Sequence, residues 1–73
     1  MKDALYRQQY RAFLERLRHA RREARLTQVD VSRSLRRPQS FVSKCESGER
    51  RVDAVELQEF ARLYGKPLGF FIS

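Results

Sequence analysis

Cysteine is almost missing from this 73-residue chain. Cys45 stands alone, so no internal disulfide can form, and such usage suits a reducing compartment. Histidine is equally scarce. His19, the only one, lies in an arginine-rich stretch without the cluster of Cys and His that a zinc site of about four ligands requires. Nor does it have the convergent nucleophile and acid of a hydrolytic triad. Glycine numbers three and proline two, and none of them builds a phosphate-cradling glycine loop. Catalysis therefore has no footing here; no enzyme activity, metal, cofactor or small-molecule substrate is expected. Apolar runs are short as well. Phe70-Phe71-Ile72 is as long as they get, against the roughly 18 residues that span a membrane.

Acidic residues are the next shortage, nine against sixteen Lys and Arg, for a net charge of +7. Chains this basic usually meet a polyanion, most often nucleic acid. The imbalance is also local: residues 1–37 carry eleven Lys/Arg against four Asp/Glu, whereas residues 38–73 carry five of each. The N-terminus has no apolar stretch or small-residue cleavage site of a secretory signal. Asp3, Glu15 and Glu23 argue against an organellar transit peptide, which is poor in acids. A cytoplasmic protein of a single domain, 1–73, is expected, since this length leaves room for no second core.

What is present is helical periodicity. No glycine or proline interrupts the first 25 residues. Tyr6, Tyr10, Phe13, Leu17, Ala20 and Ala24 recur at steps of three and four, widened by Leu14, which predicts an amphipathic helix over about 3–24. Thr27, with Asp30 three residues on, has the pattern of a capping box opening a helix over about 28–35, with Val31 and Leu35 inward. Pro38 separates this helix from a third over about 38–47, whose buried edge is Val42 and Cys45 and whose stop is Gly48. Asp53 and Glu56 form a second capping-box pattern, and Val52 and Leu57 have the spacing of a hydrophobic staple. They open a helix over about 54–64 with Leu57, Phe60, Ala61 and Tyr64 toward the core. A short turn over about 67–71 follows. The expected fold is all-α, a compact bundle of four to five helices.

The second and third helices, joined by a few residues, have the layout of a helix-turn-helix. The segments TQVDVSRSL, RRPQSFVSKCESGER and RRVDAVELQEFARLYG resemble the lambda-repressor-like helix-turn-helix family, also called the xenobiotic-response-element (XRE) family. The likeness runs from about Leu14 to Tyr64. It implies double-stranded DNA as the partner. By position it implies that Gln39, Ser40, Ser43 and Lys44 face the bases, and that Gln28, Arg50 and Arg51 grip phosphates. It also implies that Arg21 and Glu46 form a structural ion pair. General chemistry fits these roles. A helix enters the major groove, Gln pairs with adenine, and Lys prefers the acceptors of guanine. A helix N-terminus presents free N–H groups to phosphate. Two departures stand out. Arg36 occupies a turn position where many relatives have glycine, so either the left-handed backbone is strained there or the turn differs. Cys45 stands where bulkier apolar residues are common, and reads as a small buried hydrophobe.

The implied function is a sequence-specific transcriptional regulator, a repressor that binds an inverted-repeat operator as a homodimer. Leu68, Phe70, Phe71 and Ile72 are the expected dimer contact, with closure of the monomer core as the other use for them. An antitoxin and a restriction-modification controller share the same fold and reading face. A protein-interaction adaptor is the alternative outside DNA binding, and it would require a neutral or acidic third helix. Phe41, just after the reading residues, is expected to pack against the second helix, with contact to a thymine methyl as its other use.

Overall fold

The computed structural model of the chain describes residues 2–72. They form five helices, α1 (Lys2–Glu23), α2 (Gln28–Ser34), α3 (Ser40–Ser47), α4 (Ala54–Tyr64) and α5 (Leu68–Phe71). No strand occurs among the described residues, and none of their helices is long and apolar enough to cross a membrane.

α1 is the long axis of the molecule. Its 22 residues reach about 33 Å at 1.5 Å per residue, in a body of 38 × 23 × 20 Å. The shorter helices gather around its C-terminal two thirds. The core is Leu17 and Ala20 of α1, Val31 of α2, Val42 and Cys45 of α3, Phe60 of α4 and Phe71 of α5, all wholly buried. Burial also pushes the Cys45 thiol above its ordinary pKa, so it stays protonated and packs as a small hydrophobe.

The apolar stripe of α1 enters this core later than its periodicity suggests. Phe13 is buried, Tyr10 is half-buried and Tyr6 is exposed, because no other helix is long enough to cover the first turns. Tyr6 stacks on Tyr10 instead, and Tyr10 meets Phe13 at a tilt, at centroid distances of 5.9 and 5.3 Å. The Tyr10 hydroxyl accepts a hydrogen bond from the Val52 amide at 3.0 Å, which pins the α3–α4 loop to α1.

Both capping boxes form. The Thr27 hydroxyl accepts from the Asp30 amide while the Asp30 carboxylate accepts from the Thr27 amide. Asp53 and Glu56 do the same at α4. The third helix starts at Ser40 rather than near Pro38. Gln39 is its N-cap residue, and its side chain makes no capping bond.

Helix ends show a second departure. α4 closes on Gly65 at φ +69°, with the Lys66 amide reaching back to the Ala61 carbonyl. α1 and α2 close with the same bond pattern, but on Arg25 (φ +60°) and Arg36 (φ +58°). The Leu26 amide bonds the Arg21 carbonyl, and the Arg37 amide bonds the Ser32 carbonyl. The turn after α2 is thus an ordinary left-handed helix stop, and Arg36 bears the strain, roughly 1–2 kcal/mol for a residue with a Cβ.

Phe41 is buried in the core. Its ring stacks on Phe60 of α4, with centroids 6.1 Å apart and planes 12° from parallel. The guanidinium groups of Arg37 and Arg50 lie over the Phe41 ring at 4.5 and 5.0 Å.

Candidate nucleic-acid interface

The site is built on one carboxylate. Glu46, near the end of α3, is 2% exposed. Its Oε2 accepts from Arg21 Nε at 2.6 Å, and its Oε1 accepts from Arg21 Nη2 at 3.1 Å and Gln28 Nε2 at 2.9 Å. The same arginine donates through Nη1 to the Leu26 carbonyl at 2.9 Å, and Arg18 donates to the Glu46 carbonyl at 2.9 Å. One side chain thereby ties α1, the α1–α2 turn and the first residue of α2 to the recognition helix. A forked guanidinium–carboxylate pair fixes angle as well as distance, so the orientation of α3 is set before any ligand arrives.

On the opposite side of α3 nothing is tied down. Ser40, Ser43 and Lys44 fall on one helical face, with Gln39 just ahead of it, and all four are exposed. None of their side-chain polar groups makes a hydrogen bond or ion pair among the described residues. Gln28, Val29, Gln39, Ser40 and Ser43 line one shallow polar depression between the start of α2 and the start of α3. Lys44 stands beside it, one turn along from Ser40.

The loop after α3 distributes its two arginines differently. Arg50 forks onto Glu56, with both N–O distances 2.7 Å, and also donates to the Arg51 carbonyl. This pairing raises the arginine's pKa and lowers that of Glu56. Arg37 approaches the same carboxylate at 3.7 Å. Glu56 is therefore more than a helix cap: it holds two cations against Phe41 at the root of α3. Arg51 has no acidic partner among the described residues and lies over the rings of Tyr6 and Tyr10 at 5.0 and 4.6 Å.

Sequence patterns left several of these residues out. Arg18, Arg37 and the second role of Glu56 bear on the site through contacts that cross between helices, and no spacing rule marks them. The contact from the Gln28 amide to Glu46, near the far end of α3, is another that no spacing rule marks.

The dimer contact expected at Leu68, Phe70, Phe71 and Ile72 needs correction. Phe71 is wholly buried inside the monomer, where it closes the core against α1. Phe70 is half-buried, stacked on His19 at 6.1 Å and edge-on to Phe71. Only Leu68 and Ile72, 48% and 65% exposed, remain open apolar surface. His19 pairs with Glu23 at 3.2 Å on the surface. No group of three metal-ligating side chains occurs among the described residues.

A helix-turn-helix domain family matches residues 12–68, which span α2 and α3 and most of the surrounding bundle. Among solved structures, an XRE-family like protein from Pseudomonas syringae pv. tomato str. DC3000 is similar at 38% sequence identity and a TM-score of 0.88. The likeness covers 97% of this chain and 89% of that one. No curated protein sequence matches the chain.

Proposed function

Because the chain belongs to the lambda-repressor-like, XRE-type helix-turn-helix family of DNA-binding regulators, we propose that it is a sequence-specific repressor. It binds an inverted-repeat operator in the cytoplasm as a homodimer and catalyses nothing. The observation that carries this reading is the contrast across α3. Its inner side is locked by Arg21, Gln28 and Glu46, while Gln39, Ser40, Ser43 and Lys44 stand exposed and uncommitted. A reading helix needs that combination, a fixed backbone carrying polar groups that have no partner until a base edge supplies one.

The remaining roles follow from position. Gln28 at the mouth of the polar depression and the acid-free Arg51 meet phosphates. Arg50 joins them with its charge partly offset by Glu56. One reading helix covers few base pairs, so two copies on half-sites about one helical turn apart supply affinity and specificity together. Leu68 and Ile72, with the open edge of Phe70, form the contact between copies. Occupying an operator excludes other proteins from the same DNA, so repression is the output that needs no further surface.

Selection of bound duplexes from a random library at physiological salt tests the reading. The expected result is an enriched inverted repeat, with Gln39→Ala and Lys44→Ala each losing about 1–3 kcal/mol of discrimination at their own positions. Binding without any enriched motif would refute sequence-specific reading, and an unchanged preference in both variants would refute these assignments.

A further inference from the structure

The arginines of α1 are arranged in a line. Arg7, Arg11, Arg18 and Arg22 fall within about 60° of one another around the axis, and they extend over about 22 Å at 1.5 Å per residue. None pairs with an acid among the described residues, although Asp3 and Glu15 border them. Within the line, Arg7–Arg11 and Arg18–Arg22 are like-charged pairs one turn apart, each unfavourable to the helix. An ordinary solvated face would alternate acid and base at that spacing. Here Asp3 and Glu15 are the only acids at that spacing, so the line keeps a surplus of positive charge that an external anion relieves.

The line also passes the C-terminal end of α3. Arg18 donates to the Glu46 carbonyl at the end of α3. Leu14 lies against Gly48, where an added Cβ would meet its Cδ1 at 3.1 Å. Nearer the N-terminus, Tyr6 and Tyr10 carry the unpaired Arg51. The ridge therefore runs from the turn that opens α2 past the end of α3 to the α3–α4 loop.

We propose that the Arg7–Arg11–Arg18–Arg22 ridge of α1 is a second DNA-backbone site, holding phosphates beside the half-site that α3 reads. This rests on the DNA-reading function above and extends it. Base identity comes from α3, whereas a large share of the affinity and of its salt dependence comes from α1. The spacing suits a phosphate strand, because each arginine along the ridge meets a different phosphate and each contact releases condensed counterions.

The test is the salt dependence of binding to the selected operator duplex, measured by fluorescence anisotropy between about 50 and 200 mM salt. The variant is Arg7→Gln/Arg11→Gln/Arg22→Gln. Arg18 is kept because it also holds the Glu46 carbonyl. All three changes are on exposed positions and glutamine is nearly as good a helix former, so the fold is retained. At about 0.9 per phosphate contact, the slope of log K against log salt should flatten by roughly 2–3. Affinity near physiological salt should fall roughly ten- to hundredfold, with the base preference unchanged. Arg62→Gln, an exposed arginine on α4, should leave the slope where it was. A wild-type protein that reads its operator and a triple variant with the same slope would overturn the ridge while leaving the reading function standing. Full DNA affinity in the variant with lost binding to phosphatidylserine vesicles would overturn it in favour of a membrane surface. A wild-type protein that binds no duplex would overturn both.

Discussion

Replacing Glu46 with leucine should damage this protein more than any surface substitution, and the size of the damage can be worked out. The Arg21 side chain is 11% exposed and that of Glu46 3%, so neither charge is screened by solvent to any extent. Glu46→Leu leaves the Arg21 guanidinium buried with only the Leu26 carbonyl as acceptor, and it strips the Gln28 amide of its partner. Removing one member of a buried pair costs about 3–5 kcal/mol. A domain this size has total stability of about 4–11 kcal/mol, so the variant sits at the edge of folding. Each kcal/mol shifts Tm by about 4–8 °C in small domains, which makes the expected fall at least ~12 °C. Arg21→Met/Glu46→Leu should recover most of this loss, because no buried charge remains. Its residual deficit is about 1–2 kcal/mol, from the orphaned Leu26 carbonyl and the lost bracing of α3. Urea unfolding followed by far-ultraviolet circular dichroism measures all the variants. A single-variant cost below ~1 kcal/mol, the level of exposed pairs, would refute the claim that Glu46 organises the site. So would a double variant that loses the sum of the two single changes.

Three other outcomes follow from local geometry elsewhere in the fold. The Arg50 fork holds the Glu56 carboxyl below its usual pKa, aided by the Asp53 amide and opposed by burial. The folded value lies below the unfolded one, so this contribution is complete above the unfolded pKa of about 4.3 and is lost as pH falls through the folded value. Urea midpoints should hold steady down to about pH 5 and then decline. Glu56→Gln should be less stable at neutral pH and flatter on the acid side, and a variant with the full wild-type acid slope would contradict the assignment. At the helix ends, Arg36→Gly relieves roughly 1–2 kcal/mol of left-handed strain but adds about 0.5–1 kcal/mol of unfolded-chain freedom, for a net gain of about 0.5 kcal/mol. Gly48→Ala should lose about 1–2 kcal/mol, since its φ is +85° and its Cβ would crowd Leu14. Calorimetric melting points moving in the same direction for both would sink the backbone argument.

The sequence made the helices legible because their punctuation is local. Thr27, Asp53, Gly48 and Gly65 each act within a few residues of themselves, and a pattern reader needs no tertiary knowledge to find them. The inward positions Val31, Val42, Cys45 and Phe60 follow from period alone. The failures share a cause. Tyr6 has the right period but lies beyond the reach of α2 to α5, and length mismatch between helices is not a periodic signal. For Phe71 the pattern leaves dimer contact and core closure both open, because closure of a small core by its last turn depends on where that turn folds back. Within the site, family position indicated Gln39, Ser40, Ser43 and Lys44 on a single face. It did not indicate that Arg50 spends its fork on Glu56, because that contact depends on the path of a loop. Left-handed geometry at Arg25 had no sequence marker at all.

The two arginines at the ends of α1 and α2 have an evolutionary corollary. Glycine at these joints would relieve their left-handed strain, and glycine is what the chain uses at Gly48 and Gly65, in the half of the sequence that carries no net charge. Keeping arginine in left-handed backbone at Arg25 and Arg36 sets backbone strain against cationic surface at the same two residues. Selection for a hardier protein and selection for a tighter grip on a polyanion thus pull these positions in opposite directions. A lineage living hotter would have to recover its charge from somewhere other than its turns.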